Sequence, residues 1–474
     1  MNLNLQLPFD PGAGEAFWRA VSQLPGFPQH ETIPLKTMLF ESNALFKLPQ
    51  LVHAFDPQRI LVVMDETPMQ RAGQDLKTQI MGVLGQSSRP VETLHLQADD
   101  TGGVHTDMRQ IGLVQARLRP GDLVLGLGSG CIADISKHAC YLYEQAGSPH
   151  LPLMLYQTAN SVSAFTSNMA PTFVDGVKRT LASRYPDALI CDLETLRDAP
   201  YAMTAAGVGD LLAMFVSLPD WYLAHRLGMD DSYSPLAEQL MGPLDQIFLV
   251  VAQAIRERSL AGMAVLAKLI ALGGLAMSLS HATTPMSGYE HVISHVLDLL
   301  AELAHRPLAY HGAQVAVATL LGAASYESFL QHFDPSQIDL NRCYPPMGDM
   351  QQRVESTFLS KDPSGKAGSE CWHDYEQKLH AWHAHRPEFE TFLRDWSILK
   401  PELAKRSRTV ADITHIMRAV DLPLRFEALT PPTSLADAEF AYWSAPLMRK
   451  RLTLGDVLLY IGWDRAAIWQ RFAS

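Results

Sequence analysis

Short apolar runs alternate with helical stretches through the first 199 residues. Arg59-Ile-Leu-Val-Val-Met-Asp65 and Asp122-Leu-Val-Leu-Gly126 read as buried strands, and Leu151-Pro-Leu-Met-Leu-Tyr156 and Ala188-Leu-Ile-Cys191 read the same way. Runs with no polar alternation belong to a parallel sheet covered on both faces, and segments 68–86 and 103–118 supply helices between strands. The pattern changes after Ala199-Pro200, where proline marks a break. From there the spacing predicts long helices over 203–227, 235–257, 260–280, 288–304 and 311–331, with no competing strand. Segment 333–375, rich in Pro, Gly, Ser and Asp, reads as a loop region, and helices resume from about 374. The expected architecture is an α/β domain over 1–199 followed by an all-α domain over 200–474.

Composition fits this picture. Hydrophobic residues make up 47% of the chain and charged residues 19%, enough for two large cores. A formal net charge of -12 argues against a nucleic-acid partner and leaves a small anionic substrate open. The five cysteines are irregularly spaced and form no Cys-x-x-Cys pair, which points to reduced thiols in a cytosolic protein. Met1-Asn-Leu-Asn-Leu-Gln-Leu-Pro has neither the basic nor the apolar region of a signal peptide. Ala261–Leu279 contains Lys268 and glycines, and reads as a buried core helix rather than a membrane span.

Two places carry candidate chemistry. Gly126-Leu-Gly128-Ser129-Gly130 follows a strand and opens a helix, so backbone N–H groups there can approach a pyrophosphate. The same turn also suits tight packing, and Cys131 stands where a dinucleotide fingerprint has its last glycine. The second place is Ser287-Gly-Tyr-Glu-His291-Val-Ile-Ser-His295, then His311-Gly312. His291 and His295 share a helix face, and Asp210 is expected in the first turn of a helix opened by Gly207 and Gly209. Two imidazoles and a carboxylate suit Zn²⁺ or a similar ion with positions left for a substrate oxygen. In a chain with 18 histidines, capping and packing are the competing account.

Taken in order, these motifs resemble a family. Gly128-Ser-Gly-Cys-Ile-Ala-Asp134-Ile-Ser-Lys137 resembles the dinucleotide loop of the glycerol-1-phosphate dehydrogenases. They sit in the wider superfamily of iron-containing alcohol dehydrogenases, glycerol dehydrogenases and dehydroquinate synthases. Thr158-Ala-Asn-Ser161, Thr166-Ser167, Asp175-Gly-Val-Lys178, Pro186–Asp192, Ala206-Gly-Val-Gly-Asp210, Asp220-Trp-Tyr-Leu-Ala224 and the histidine motif continue it, over roughly residues 55–325. The resemblance implies a dehydroquinate synthase-like fold, with an α/β dinucleotide domain and a helical metal domain. It implies Asp210, His291 and His311 as ligands of zinc, nickel or iron. It places Gly128, Ser129, Gly130, Asp134, Thr158, Ser161 and Ser167 along NAD or NADP, with Asp65 near the adenosine ribose. His295 becomes a proton shuttle or a residue that orients its neighbours.

The chain also departs from its relatives. Ser161-Val162-Ser163 stands where many relatives have Ser-Thr-Asp beside substrate and nicotinamide, which makes Ser163 a candidate for acting near the substrate. Met214 replaces a histidine common in the iron-dependent alcohol dehydrogenases, and Asp210 replaces the glutamate of the dehydroquinate synthases. Lys137 is open between a phosphate contact and a solvated role, Lys178 reads as a surface residue, Trp221 as core, and Arg449 and Arg451 as a solvated face. The resulting expectation is a metal-dependent NAD(P) oxidoreductase acting on a small polyol phosphate, cytosolic and homo-oligomeric, with no nucleic-acid or membrane partner. The alternatives are a dehydroquinate synthase-like lyase that recycles NAD, and a catalytically silent homologue.

Overall fold

The computed structural model describes residues 7–99, 102–174 and 177–474. Residues 1–6 of the N-terminal reading, and Asp175 and Gly176 of the family-like segment, lie outside the described residues.

Six parallel strands form one sheet. They are β1 (Thr37–Glu41), β2 (Arg59–Asp65), β3 (Val91–Leu96), β4 (Asp122–Gly128), β5 (Leu153–Gln157) and, after a hairpin of β6 (Met169–Val174) and β7 (Val177–Ala182), β8 (Ala188–Asp192). Their spatial order is β1-β8-β5-β4-β2-β3. Every residue of β4, β5 and β8 is buried, which is why these strands show no polar alternation. The edge strands escaped the sequence reading for the opposite reason. Val91-Glu-Thr-Leu-His-Leu96 is half exposed and polar enough to pass for a loop, and β1 is similar.

The chain goes outward from β2 to β3, then returns to place β4 on the other side of β2. The carboxyl ends of β2 and β4 therefore flank the point where the strand order reverses, the place where open α/β sheets bind ligands. Asp65 ends β2 and Gly128 ends β4.

The segment 68–86 is not one helix. Gln70–Arg71 and Gln74–Asp75 pair across a turn at Ala72-Gly73, both with positive φ, as a two-residue hairpin requires. The helix starts only at Leu76, where the Asp75 carboxylate accepts the Thr78 N–H at 2.7 Å. The helix read over 103–118 is confined to Met108–Gln115.

From Leu193 onward the described residues form only helices and loops. The main ones are α2 (Tyr201–Leu212), α3 (Met214–Arg226), α4 (Leu260–Leu279), α5 (Tyr289–Leu303), α6 (His311–His332), α7 (Lys366–Ala384) and α8 (Leu454–Tyr460), while α1 (Gly130–Gln145) follows β4. The stretch read as one helix over 203–227 breaks at Ala213, and 235–257 breaks at Gly242-Pro243. The 333–375 loop reading needs correction: Met347–Leu359 is a helix and α7 begins at Lys366. Prolines and glycines flank the first of these helices without entering its apolar face of Met350, Val354 and Phe358.

The chain forms two compact units, one made of Met1–Leu211, Pro235–Leu279 and Ala419–Asp421, the other of Leu212–Ser234, Ser280–Arg418 and Leu422–Ser474. This division is not the single cut at Ala199-Pro200, because α4 belongs with the sheet. Tyr201–Arg226, taken across the break at Ala213, and Leu260–Leu279 are long and apolar enough to cross a membrane, but 78% and 67% of their apolar windows are buried in the protein, as in core helices.

Candidate active site

In the sheet-bearing unit, the turn after β4 is shaped first by packing. A Cβ on Gly128 would lie 2.4 Å from Ile132 Cγ1, and one on Gly130 would lie 2.5 Å from Val162 Cγ2. Both glycines are thus required by the protein itself, before any ligand. Ser129 caps α1 without a side-chain hydrogen bond, so its first N–H groups face the end of the sheet uncapped by a side chain. Thr158 donates its N–H to the Gly128 carbonyl at 3.1 Å, which joins the turn to the segment after β5. The Asp65 carboxylate accepts the Thr67 N–H at 3.0 Å, and Lys77 holds its carbonyl at 2.6 Å.

The loop 158–168 is built against α2 and α4. Asn160 donates to the Met263 carbonyl at 3.1 Å, Thr166 to the Ala271 carbonyl at 2.7 Å, and Ser278 accepts the Asn168 N–H at 2.8 Å. Gly207 permits this approach, because a Cβ there would stand 2.1 Å from the Asn160 carbonyl oxygen. The outcome is that Ser163 N–H and Oγ–H both donate to Asp210 Oδ2, each at 2.9 Å. Both residues are buried. Asp210 lies in the last turn of α2 rather than in the first turn of a helix. Pro200 precedes the helix start, and Gly207 and Gly209 sit inside it, where Gly207 serves packing.

Lys137 is neither solvated nor turned to a phosphate. It is wholly buried, and its ammonium group donates to the carbonyls of Ala164 (2.6 Å), Ser167 (3.1 Å) and Met169 (2.8 Å) and to Ser167 Oγ (3.1 Å). Asp134 lies 2.9 Å away as counter-ion. Asp134 and Ser167, two of the residues placed along the cofactor, thus both turn their side chains to this lysine. Burial pulls the Lys137 pKa down and pushes that of Asp134 up, against their mutual attraction. Lys137→Met leaves a buried carboxylate and several carbonyls without a donor, and is expected to destabilise the protein by about 3–5 kcal/mol in urea unfolding. A loss below about 1 kcal/mol would refute the clamp.

In the helical unit, the three histidines come together. The His291 ring lies 5.2 Å from that of His311 and 6.1 Å from that of His295, and His295 and His311 are near-parallel at 6.2 Å. His291 and His295 project from α5, and His311 begins α6. The Nδ1 of His291 lies 2.8 Å from Glu290 Oε1, so against a carboxylate acceptor it carries the proton. Glu290 is fully buried, and the same oxygen accepts the Gly288 N–H at 2.7 Å.

Below this group sits Asp220, also buried, whose pKa is pushed up to about 8 by burial and by the neighbouring Glu290, against three donors. Trp221 is core as expected, its indole donating to Ser232 Oγ at 3.1 Å. Arg451 is not on a solvated face. It donates to the Ser287 carbonyl and to Thr283 Oγ1, and burial lowers its pKa to about 10. The neighbouring acids Glu290, Asp230 and Asp220 oppose that shift. Arg449 is largely covered and lies 3.9 Å from Asp374. Lys178, on the hairpin, stands 5.9 Å over the Phe173 ring.

A parallel sheet with a glycine turn at its switch point, and a helical unit bearing grouped histidines, are the parts of a dinucleotide-linked dehydrogenase. Comparison with known proteins agrees. Residues 39–200 match the model of the iron-containing alcohol dehydrogenases. The chain is 31% identical to the NAD(P)+ glycerol-1-phosphate dehydrogenase of Bacillus subtilis, over 65% of this chain and 77% of that protein. It is 30% identical to the same enzyme of Halalkalibacterium halodurans, over 65% and 75%. Among solved structures it shares its fold with sulfoacetaldehyde reductase from Bifidobacterium kashiwanohense in complex with NAD+ (TM-score 0.56, 13% identity, 94% of this chain and 98% of that one). A probable glycerol dehydrogenase from Sinorhizobium meliloti is similar (TM-score 0.52, 15% identity, 92% and 98%). The chain belongs to the iron-containing alcohol dehydrogenase family and is an oxidoreductase of its glycerol-1-phosphate dehydrogenase-like branch.

Proposed function

We propose that this chain transfers hydride between NAD(P) and a small polyol phosphate, with dihydroxyacetone phosphate and sn-glycerol 1-phosphate as the first pair to try. Asp210, His291 and His311 hold one divalent metal in this reading, with zinc first and nickel or iron next. Each offers one ligand atom, an imidazole nitrogen or a carboxylate oxygen. The observation that carries the reading is the Glu290–His291 contact. A proton held on Nδ1 leaves the Nε2 lone pair for an ion, and a carboxylate behind the ring makes that nitrogen more basic. Ser163 supports it by fixing Asp210 Oδ2 with its N–H and Oγ–H, so Ser163 acts through Asp210.

When bound, the metal supplies Lewis acidity toward the substrate's hydroxyl or carbonyl oxygen. The chain's own residues do the rest. The uncapped start of α1 receives the pyrophosphate, and Asp65, on the neighbouring strand end, faces the ribose. Thr158 and Ser161 line the segment beside that turn. His295, one helical turn from His291, carries the proton to or from the substrate oxygen. A cytosolic homo-oligomer belongs to the same reading.

The test is a spectrophotometric assay with both cofactors, a panel of hydroxy and keto phosphates and free polyols, and Zn²⁺, Ni²⁺, Fe²⁺ and Mn²⁺. NADH or NADPH consumption with dihydroxyacetone phosphate is the expected result. Phosphate release without net change in the dinucleotide would reject it in favour of a lyase that recycles its cofactor.

A further inference from the structure

A carboxylate buried beside a helix start, with no water to solvate it, is costly unless its donors and charge partners are built in. Two of those buried in the helical unit, Glu290 and Asp220, are directed at the turn that carries His291. Glu290 Oε1 accepts the Gly288 N–H at 2.7 Å and lies 2.8 Å from His291 Nδ1. Asp220 Oδ2 accepts the N–H of Tyr289, the first residue of α5, at 2.7 Å. Its Oδ1 accepts the N–H of Leu454, the first residue of α8, at 2.8 Å, and the Tyr326 hydroxyl of α6 at 2.6 Å. One side chain therefore satisfies orphan donors of two helices and reaches a third.

Gly288 shows how tightly this is packed. A Cβ there would stand 2.7 Å from Asp220 Oδ2 and from Ser217 Cα, and 2.9 Å from Glu290 Oε2. Arg451 closes the arrangement from the other side. Its bond to the Ser287 carbonyl fixes the residue that leads into this turn, and its charge opposes the two carboxylates.

We propose that Glu290 and Asp220 are positioning residues for His291: Glu290 sets the ring's tautomer and direction, and Asp220 fixes the first turn of α5 from which the ring projects. The inference rests on the reading of His291 as a metal ligand. It adds two residues that touch neither metal nor substrate. A neutral Gln at 290 keeps the size of the side chain and can keep a carbonyl oxygen toward both donors, since Oε1 accepts both, but it loses the charge that favours a proton on the facing ring nitrogen. The imidazole's preference for the Nδ1–H form then weakens. Asn at 220 can accept from only one of the two helix starts with its carbonyl.

The experiment uses the full-length protein and two readouts independent of turnover. The first is Co²⁺ and Zn²⁺ affinity by chelator competition for wild type, Glu290→Gln, Asp220→Asn and His291→Ala. The second is the ¹⁵N spectrum of the histidine rings in metal-free wild type and Glu290→Gln, which reports the tautomer directly. The expected result is a 10–100-fold loss of metal affinity in Glu290→Gln, an unfolding midpoint close to wild type, and a His291 signal that leaves the Nδ1–H position. Asp220→Asn is expected to weaken metal binding too. If that variant does not fold, the Glu290→Gln arm and the ring spectrum still decide. Wild-type affinity and an unchanged tautomer in Glu290→Gln, with binding lost in His291→Ala, would overturn the positioning role and leave the ligand reading intact. Metal binding in His291→Ala equal to wild type would overturn the ligand reading, while the ring spectrum still tests the Glu290 contact.

Discussion

Asp210→Ala and His291→Ala proteins are expected to fold, to lose bound metal, and to reduce carbonyl substrates about a thousandfold more slowly than wild type. The size follows from the work asked of the ion. Lewis-acid stabilisation of a developing alkoxide contributes several kcal/mol to the barrier. At about 4 kcal/mol, and 1.36 kcal/mol per factor of ten, roughly three orders of magnitude in rate are at stake. The two substitutions differ in their side effects. Removing the Asp210 carboxylate strands the Ser163 N–H and Oγ–H in a buried place, so the 158–168 loop loosens as well. Removing the His291 ring leaves Glu290 with one of its two donors. Elemental analysis of the purified variants, followed by steady-state rates at saturating metal, checks both. Full activity in Asp210→Ala, or in wild type stripped with a chelator, would end the metal-dependent reading.

The second large effect belongs to Gly207→Ala. The added methyl would stand 2.1 Å from a backbone carbonyl oxygen, that of Asn160, and 2.9 Å from Ile270 Cδ1. A flexible side chain could turn away, but this carbonyl belongs to a loop held by Asn160, Thr166 and Asn168 to α4 and its neighbourhood. Either α2 or the loop must shift. Overpacking of this kind costs about 3 kcal/mol at its upper end. The expected observation is a lower urea midpoint with an unchanged m-value, accompanied by weaker metal binding because the loop delivers Ser163 to Asp210. A variant as stable as wild type would mean that α2 and the loop do not approach as closely as described.

How much of this was legible in the sequence depended on how local each feature is. The four central strands could be read because burial on both faces leaves an unbroken apolar run, whereas β1 and β3 are edges and look polar. Gly128 and the histidines stood out by spacing along one turn or one helix. Glu290 was visible inside the same motif, but its role was not, because adjacent helix residues ordinarily point in different directions. Asp220 acts on helix starts at Tyr289 and Leu454, far away in the chain, and no local pattern announces such a contact. Lys137 misled for a related reason. A lysine seven residues past a glycine turn suggests a phosphate, and only the fold shows a cage of carbonyls around it.

The sheet-bearing unit does not finish where its last strand does. Its chain leaves at Leu211, returns for Pro235–Leu279, which ends with α4, and returns once more for Ala419–Asp421. During synthesis at about 5–20 residues per second, roughly 70 residues, from Leu211 to Leu279, take several seconds to emerge. Over that interval the 158–168 loop has no α4 to receive Asn160, Thr166 and Asn168, and the apolar side of α2 is uncovered. A ribosome-bound chain stopped at Leu211 is therefore an incomplete unit, and an expression fragment cut at Ala199-Pro200 inherits the same defect. A fragment built to isolate the nucleotide half has to carry Pro235–Leu279 with it.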